Sequence, residues 1–178
     1  MERVLALEGT LARRKARFEQ LFGEYHSEIY IYLCRLVGDE RQAEDLMQDA
    51  FVKAYRALAR LPEEANARAW LYRIATNTAL DWFRRRRLIS WLPLFDRDHH
   101  PAVCSSHADS LLESVAVQQV LADLPARYRV PLVLYSCQGL STHEIAHVLQ
   151  ISRGAVKTRL FRAREKFRRL YAPEEVAP

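Results

Sequence analysis

Arg153, Lys157, Arg159, Arg162, Arg164, Lys166, Arg168 and Arg169 crowd one short stretch of this chain, with Glu165 as the only acid among them. Val156, Leu160, Ala163, Phe167 and Leu170 recur between them at helical spacing, so the cations ride the outer face of an amphipathic helix. Ser152 is a good N-cap for that helix. Just upstream, Ile145, Ala146 and Leu149 mark the inward side of a shorter helix, and Ile151 plugs the turn between the two. A cationic helix held at a fixed angle by a partner helix places side chains in the major groove of DNA. The plainer explanation is a solvated helix face, but solvated faces usually interleave both signs. Gln150 stands where such a turn often has glycine, so it must accept the backbone the turn imposes.

The remainder of the chain has to hold this unit and add to it. Its 178 residues suit one medium domain or two small ones, and 49% hydrophobic content is enough for a core. A net charge of +5 and a pI near 9.3 fit a polyanionic partner. The excess peaks at Arg84 to Arg87 and in the last helix, whereas Glu24, Glu28, Asp39, Glu40, Glu44, Asp45 and Asp49 make the early helices acidic. A basic surface for nucleic acid and an acidic one for another partner follow from that separation. Cys34, Cys104 and Cys137 are odd in number and widely spaced, so no disulfide framework is expected. No apolar run approaches the roughly 20 residues that span a bilayer, and the first residues lack a signal-peptide pattern. A cytoplasmic protein without membrane insertion is expected.

Strand signals are nearly absent. Phe18, Leu21, Phe22, Tyr25, Ile29, Tyr32, Leu33 and Leu36 mark a first amphipathic helix ending near Gly38. Asp39 and Gln42 resemble a capping box. A second helix follows, burying Ala43, Leu46, Met47, Ala50, Phe51, Ala54, Tyr55 and Leu58 and stopping before Pro62. A third carries Trp70, Leu71, Ile74, Ala75, Thr78, Ala79 and Trp82 and runs into the arginine run. Together these form one bundle. Periodicity fails from about Leu88 to Ser110, a stretch with Pro93, Pro101 and several histidines that reads as an interdomain linker. Its apolar segment Ile89 to Phe95 either packs on a domain or binds a partner. Pattern returns at Leu111. Pro125 starts a helix, Arg129 to Tyr135 makes the next with Pro131 in its first turn, and Gly139 closes it before the helix-turn-helix. The fold class is therefore all-α: two small helical domains, 15–87 and 111–171, joined by a flexible linker at 88–110.

Ala43-Glu44-Asp45-Leu46-Met47-Gln48-Asp49-Ala50-Phe51 comes first along the chain. Ala69-Trp70-Leu71-Tyr72-Arg73-Ile74-Ala75-Thr76-Asn77-Thr78-Ala79-Leu80-Asp81 follows. Next are Leu124-Pro125-Ala126-Arg127-Tyr128-Arg129 and the helix-turn-helix. In this order and spacing they resemble the sigma-70 family of bacterial sigma factors, in its minimal two-domain extracytoplasmic-function group. The resemblance covers nearly everything from Phe18 to Leu170.

The resemblance implies a first domain that docks on the β′ coiled coil of core RNA polymerase through Asp45, Gln48, Asp49 and Phe51. Acids and an amide suit a basic helical hairpin, and an aromatic suits a packed anchor, although Phe51 also falls on the inner stripe. The third helix and the loop before it would read and melt the promoter's minus-ten element. Asn66 and Arg68 match the base-capturing loop, Trp70 and Tyr72 offer π faces, and Asn77 can pair with a base edge. Arg73, Arg84, Arg85, Arg86 and Arg87 can hold phosphates. Trp70 and Trp82 could equally be core. The second domain resembles the module that reads the minus-thirty-five duplex. Lys157, Thr158, Phe161 and Arg162 lie on its groove side, with Arg153 and Arg159 toward phosphate. Ala155 stands where relatives often have threonine, so a hydroxyl contact is lost there. The implied partners are core polymerase (β′ coiled coil and β flap), promoter DNA and an anti-sigma factor. No cofactor and no enzymatic activity are expected. His99, His100, Cys104 and His107 are soft ligands at an odd spacing in the linker, and no metal site is expected from them. The rival reading is a conventional operator-binding regulator that uses the helix-turn-helix alone.

Overall fold

A computed structural model of the chain describes residues 2–89 and 111–171, with side chains over 11–86 and 115–171. The linker at 90–110, its histidine and cysteine cluster and most of its apolar segment lie outside the described residues. Seven α-helices and one 3-10 turn are described, and no strand. They are α1 (Glu2–Val37), α2 (Glu40–Ala57), the 3-10 turn Leu58–Arg60, α3 (Ala67–Ile89), α4 (Leu111–Asp123), α5 (Ala126–Ser136), α6 (Thr142–Leu149) and α7 (Arg153–Tyr171). None is long and apolar enough to cross a membrane.

The helix ends obey local chemistry. Gly38 sits at φ +73 and its N–H reaches the Cys34 carbonyl at 2.8 Å, closing α1. A side chain there would be strained and would crowd the Gln118 amide. Asp39 caps α2 by accepting from the Gln42 N–H at 2.7 Å. Asn66 caps α3 by accepting from the Ala69 N–H at 2.9 Å. Ser141 and Glu144 form a full capping box on α6. Ser152 caps α7 through the Ala155 N–H at 3.1 Å. One expectation fails at α5. It is a single helix from Ala126, with Pro125 as N-cap and Pro131 in its interior. Pro131 comes so soon after the uncoupled first turn that it removes only the bond the Arg127 carbonyl would have accepted. Cys34 is disulfide-bonded, also against expectation, while Cys137 is free and exposed.

Helix α1 packs on α2 and α3 to make the first bundle, and α7 packs on α4, α5 and α6 to make the second. Tyr32 and Tyr72, both fully buried, meet edge to face at 5.2 Å, and the Tyr32 hydroxyl bonds Thr76 at 2.7 Å. In the helix-turn-helix Ile145, Val148, Val156, Leu160 and Ala163 are buried, while Leu170 is exposed because α7 has by then outrun its partners.

The two bundles do not stand apart as a tether alone would leave them. Helix α3 packs on α6, and α1 packs on α4 and α5, so one continuous set of buried residues runs through both. Arg129 on α5 lies at the junction. Its guanidinium donates to the Leu36 carbonyl at the end of α1 and to the Ala122 and Leu124 carbonyls at the end of α4. It also lies over the Phe83 ring of α3, 5.3 Å from the centroid. Burial pushes the guanidinium down to about 10, with Asp123 opposing, so it stays charged at neutral pH. Arg129→Ala would orphan carbonyls at two helix ends and should destabilise the fold by about 2–4 kcal/mol, read as a lower urea midpoint.

Candidate polymerase and nucleic-acid surfaces

Three surfaces emerge from this packing. The first lies on α2. Asp45, Gln48 and Asp49 are exposed on one helix face, and Val52, one turn on, is 48% exposed. Phe51 is turned the other way and is only 4% exposed. Its ring meets Phe22 at 4.9 Å and Phe18 at 6.2 Å, both edge-on, so it acts as the packed base of this face. Val52 is an exposed apolar side chain one turn from Gln48 and Asp49, and Phe22 on α1, 39% exposed, lies against Phe51. Neither was anticipated as a site residue. The available signal was Val52, an apolar residue off the buried stripe of α2.

The second surface is the N-terminal half of α3 with the loop before it. Asn66 and Asn77 are exposed, Arg68, Trp70 and Arg73 are half-buried, and Tyr72 is fully buried. Arg84, Arg85 and Arg86 are exposed at the far end of the helix. Arg84 pairs with Asp81, and Arg86 lies over the Trp82 ring at 5.1 Å. The side chain of Arg87 lies outside the described residues.

The third surface is the helix-turn-helix. Lys157, Thr158, Phe161 and Arg162 are exposed along one side of α7, with Phe161 64% exposed. A phenylalanine that open has no role in packing. Arg153 donates to the Thr142 hydroxyl at 3.1 Å, and Arg159 is half-buried. The Thr158 hydroxyl donates back to the Gly154 carbonyl at 3.1 Å, which leaves it free to accept from a base. Gln150 occupies the turn in the left-handed region at φ 53. With its amide oxygen turned toward α3, it accepts from Arg73 Nη1 and Nη2 at 3.3 and 3.2 Å.

That last contact is one of several in which the second bundle takes donors of the second surface. Arg68 donates to Glu28 at 3.1 Å and to the Gln138 carbonyl at 2.9 Å. The Tyr72 hydroxyl donates to the Gln138 amide oxygen at 2.8 Å and lies 3.2 Å from Glu28. Burial pushes that hydroxyl well above its ordinary pKa, and the Glu28 charge adds to the effect. Burial works against the Arg68 cation, but Glu28, Tyr72 and Glu144 hold it above its ordinary value. The Glu144 carboxylate is held below its ordinary range, first by Ser141 and then by Arg68 and Asn66. A cavity of about 350 Å³ remains between Trp70 and Arg73 on α3 and His143, Glu144 and His147 on α6.

Residues 21–89 match the family described as Sigma-70 region 2, and residues 114–167 match Sigma-70, region 4. The chain is 35% identical to the RNA polymerase sigma-H factor of Pseudomonas aeruginosa over 170 residues, covering 89% of this chain and 88% of that one. This chain belongs to the extracytoplasmic-function group of the sigma-70 family. Within that family it is also 32% identical to the ECF RNA polymerase sigma factor SigW of Bacillus subtilis, covering 85% of this chain and 87% of SigW. Among solved structures, CnrH in complex with the cytosolic domain of CnrY is similar at a TM-score of 0.67 and 29% identity, covering 88% of each chain. The fold is shared with the sigma factor RpoE in complex with the anti-sigma factor NepR from Bartonella quintana, at a TM-score of 0.76 and 22% identity. That match covers 89% of this chain and 99% of RpoE.

In these terms the α2 and α3 surfaces lie in region 2 and the helix-turn-helix in region 4. The junction between the regions carries a testable charge. The depressed Glu144 carboxyl contributes stability that is full above the ordinary carboxylate value of 4.5 and is lost as pH falls through its lower folded value. Glu144→Gln keeps a side chain able to complete the capping box but has no charge to titrate. The wild type should therefore be more stable than this variant at pH 7, and the gap should close on acidification below about pH 4, measured by urea unfolding across pH.

Proposed function

We propose that this protein is a sigma factor that binds core RNA polymerase and directs it to promoters, with region 2 reading and holding the minus-ten element and region 4 reading the minus-thirty-five duplex. The observation that carries the reading is the presence of three chemically distinct surfaces on one chain. These are an acidic and apolar face on α2, a basic and aromatic face on α3, and a one-sign cationic face on α7 with Phe161 open beside it. An operator-binding regulator accounts for α6 and α7 alone and leaves the other two faces without a task.

The division of labour follows from residue chemistry. Asp45, Gln48 and Asp49 suit a basic helical hairpin such as the β′ coiled coil, with Val52 and Phe22 as apolar anchors in place of Phe51. Asn66, Arg68, Trp70, Tyr72, Arg73 and Asn77 supply base-edge partners, stacking faces and phosphate partners for an unpaired strand, and Arg84 to Arg87 add charge alongside. Lys157 and Arg162 can reach guanine acceptors, Thr158 can accept, and Phe161 can cover a thymine methyl. Arg153 and Arg159 steady the backbone. Neither region need bind tightly alone, because polymerase would hold both at one spacing and raise their effective concentration. The work is done in the cytoplasm, where polymerase and promoter are. An anti-sigma factor is a further proposed partner, supported by the family resemblance and by the likeness to CnrH bound to the cytosolic domain of CnrY.

Run-off transcription with core polymerase on a promoter library tests this directly. Initiation from templates sharing two elements at a fixed spacing is expected, and no initiation from any template contradicts the reading. Lys157→Ala should weaken binding to the upstream duplex by about 1–3 kcal/mol and flatten its salt dependence. Asp49→Ala should weaken polymerase binding by about 1 kcal/mol or more, measured by titration against core enzyme, with duplex binding unchanged.

A further inference from the structure

The cavity between α3 and α6 encloses about 350 Å³. That volume falls within the roughly 300–1,000 Å³ of small-molecule sites, which collect where two folded units meet. Leu61, Ala69 and Trp70 give it apolar walls, and the half-buried indole of Trp70 offers a flat one. Arg73 lines it from α3, and His143 and His147, one turn apart, line it from α6. The charge on these walls is one-sided. Arg73 donates to the neutral amide oxygen of Gln150, and no carboxylate pairs with it among the described residues. Both imidazoles are exposed, and neither has a hydrogen-bond partner among the described residues. Glu144 is the one acid on the lining, and its carboxylate is already held by Ser141, Arg68 and Asn66. An apolar slot with a flat wall, a guanidinium without a counter-charge and two uncommitted imidazoles suits a flat ring that carries one negative group.

We propose that this cavity is a binding site for a small aromatic carboxylate, with its ring on Trp70 and its carboxylate on Arg73, His143 and His147. A guanidinium can hold a carboxylate through two parallel N–H bonds, and either imidazole can donate a third. The contacts of Arg73 to Gln150, at 3.3 and 3.2 Å, are long for a charged donor, so a carboxylate gains over the amide it replaces. A neutral ring would gain only the burial of its apolar surface. A carboxylate without a flat ring would forfeit the contact with the indole. Occupancy takes Trp70 and Arg73 out of use, so the ligand competes with an unpaired strand for both. That consequence rests on the assignment of α3 as the strand-reading helix. The compound is then a negative effector of initiation, and the signal it carries is the level of a free small molecule rather than of a second protein.

Calorimetric titration of the full chain with three probes tests the site. Indole-3-carboxylate carries ring and charge, indole carries the ring alone, and cyclohexanecarboxylate carries the charge without a flat ring. Indole-3-carboxylate should bind at one site, about tenfold tighter or more than either of the others. Arg73→Ala should bring it down to the level of indole. His143→Ala/His147→Ala, altered at two exposed positions, should weaken it about fivefold and leave indole unchanged. No binding of indole-3-carboxylate, binding no tighter than that of indole, or binding that both variants leave unchanged overturns the site. Run-off with core polymerase should fall when indole-3-carboxylate saturates the wild type, and the double-histidine variant should need more of it for the same fall. Run-off that a saturating probe leaves untouched overturns the effector role. Failure of run-off before any probe is added contradicts the proposed function instead, and the titration still decides the site.

Discussion

The guanidinium of Arg129 is the point on which both halves of this molecule turn. A buried cation needs partners on every side, and Arg129 finds them in carbonyls rather than in a buried carboxylate. Those carbonyls are the ones that the ends of α1 and α4 leave without intrahelical donors. One side chain on α5 thereby closes a helix of the first bundle and a helix of its own, and lies against Phe83 of α3 as it does so. Around that joint, Gln118 reaches the Cys34 and Arg35 carbonyls in the last turn of α1, and α6 packs on α3. These polar contacts lie beside a buried apolar set that runs through both bundles.

The polar contacts across the junction engage the donors of α3. Arg68 and Tyr72 find acceptors in Gln138 of the second bundle and Glu28 of their own. Tyr72 shows the constraint most sharply. Its ring is held fully buried against Tyr32 of its own bundle and its hydroxyl is committed to Gln138. The cationic face of α7 carries no such commitment. Its inner stripe is satisfied by α4, α5 and α6, and its outer stripe faces away from region 2.

Much of this was legible in the sequence, and the parts that were not share a cause. The stripes of α1, α2 and α7 follow from local periodicity, and the sign separation between α2 and α7 follows from composition along the chain. Gln150 was recognisable as the residue that must tolerate the turn, and it occupies the left-handed region. Phe51 and Trp70 were ambiguous because a helical stripe specifies burial only when its partner is known. The junction between the regions could not be read, because its bonds join residues far apart in the chain: Arg68 and Gln138 are separated by 70 positions. Arg129 gave no local sign of burial, since an arginine beside other cations ordinarily stays in water. Pro131 misled for a different reason. A proline near a helix start is tolerated, and pattern alone does not reveal how far upstream that start lies.

The central claim is that the Arg129 junction holds the two regions together in the free chain. Dyes attached at Glu63 in region 2 and Arg168 in region 4, both exposed, would report the separation by resonance energy transfer. High transfer in the free protein that falls in the Arg129→Ala variant is the predicted result. Transfer that is already low in the free protein, or that stays high in the Arg129→Ala variant, would contradict the account.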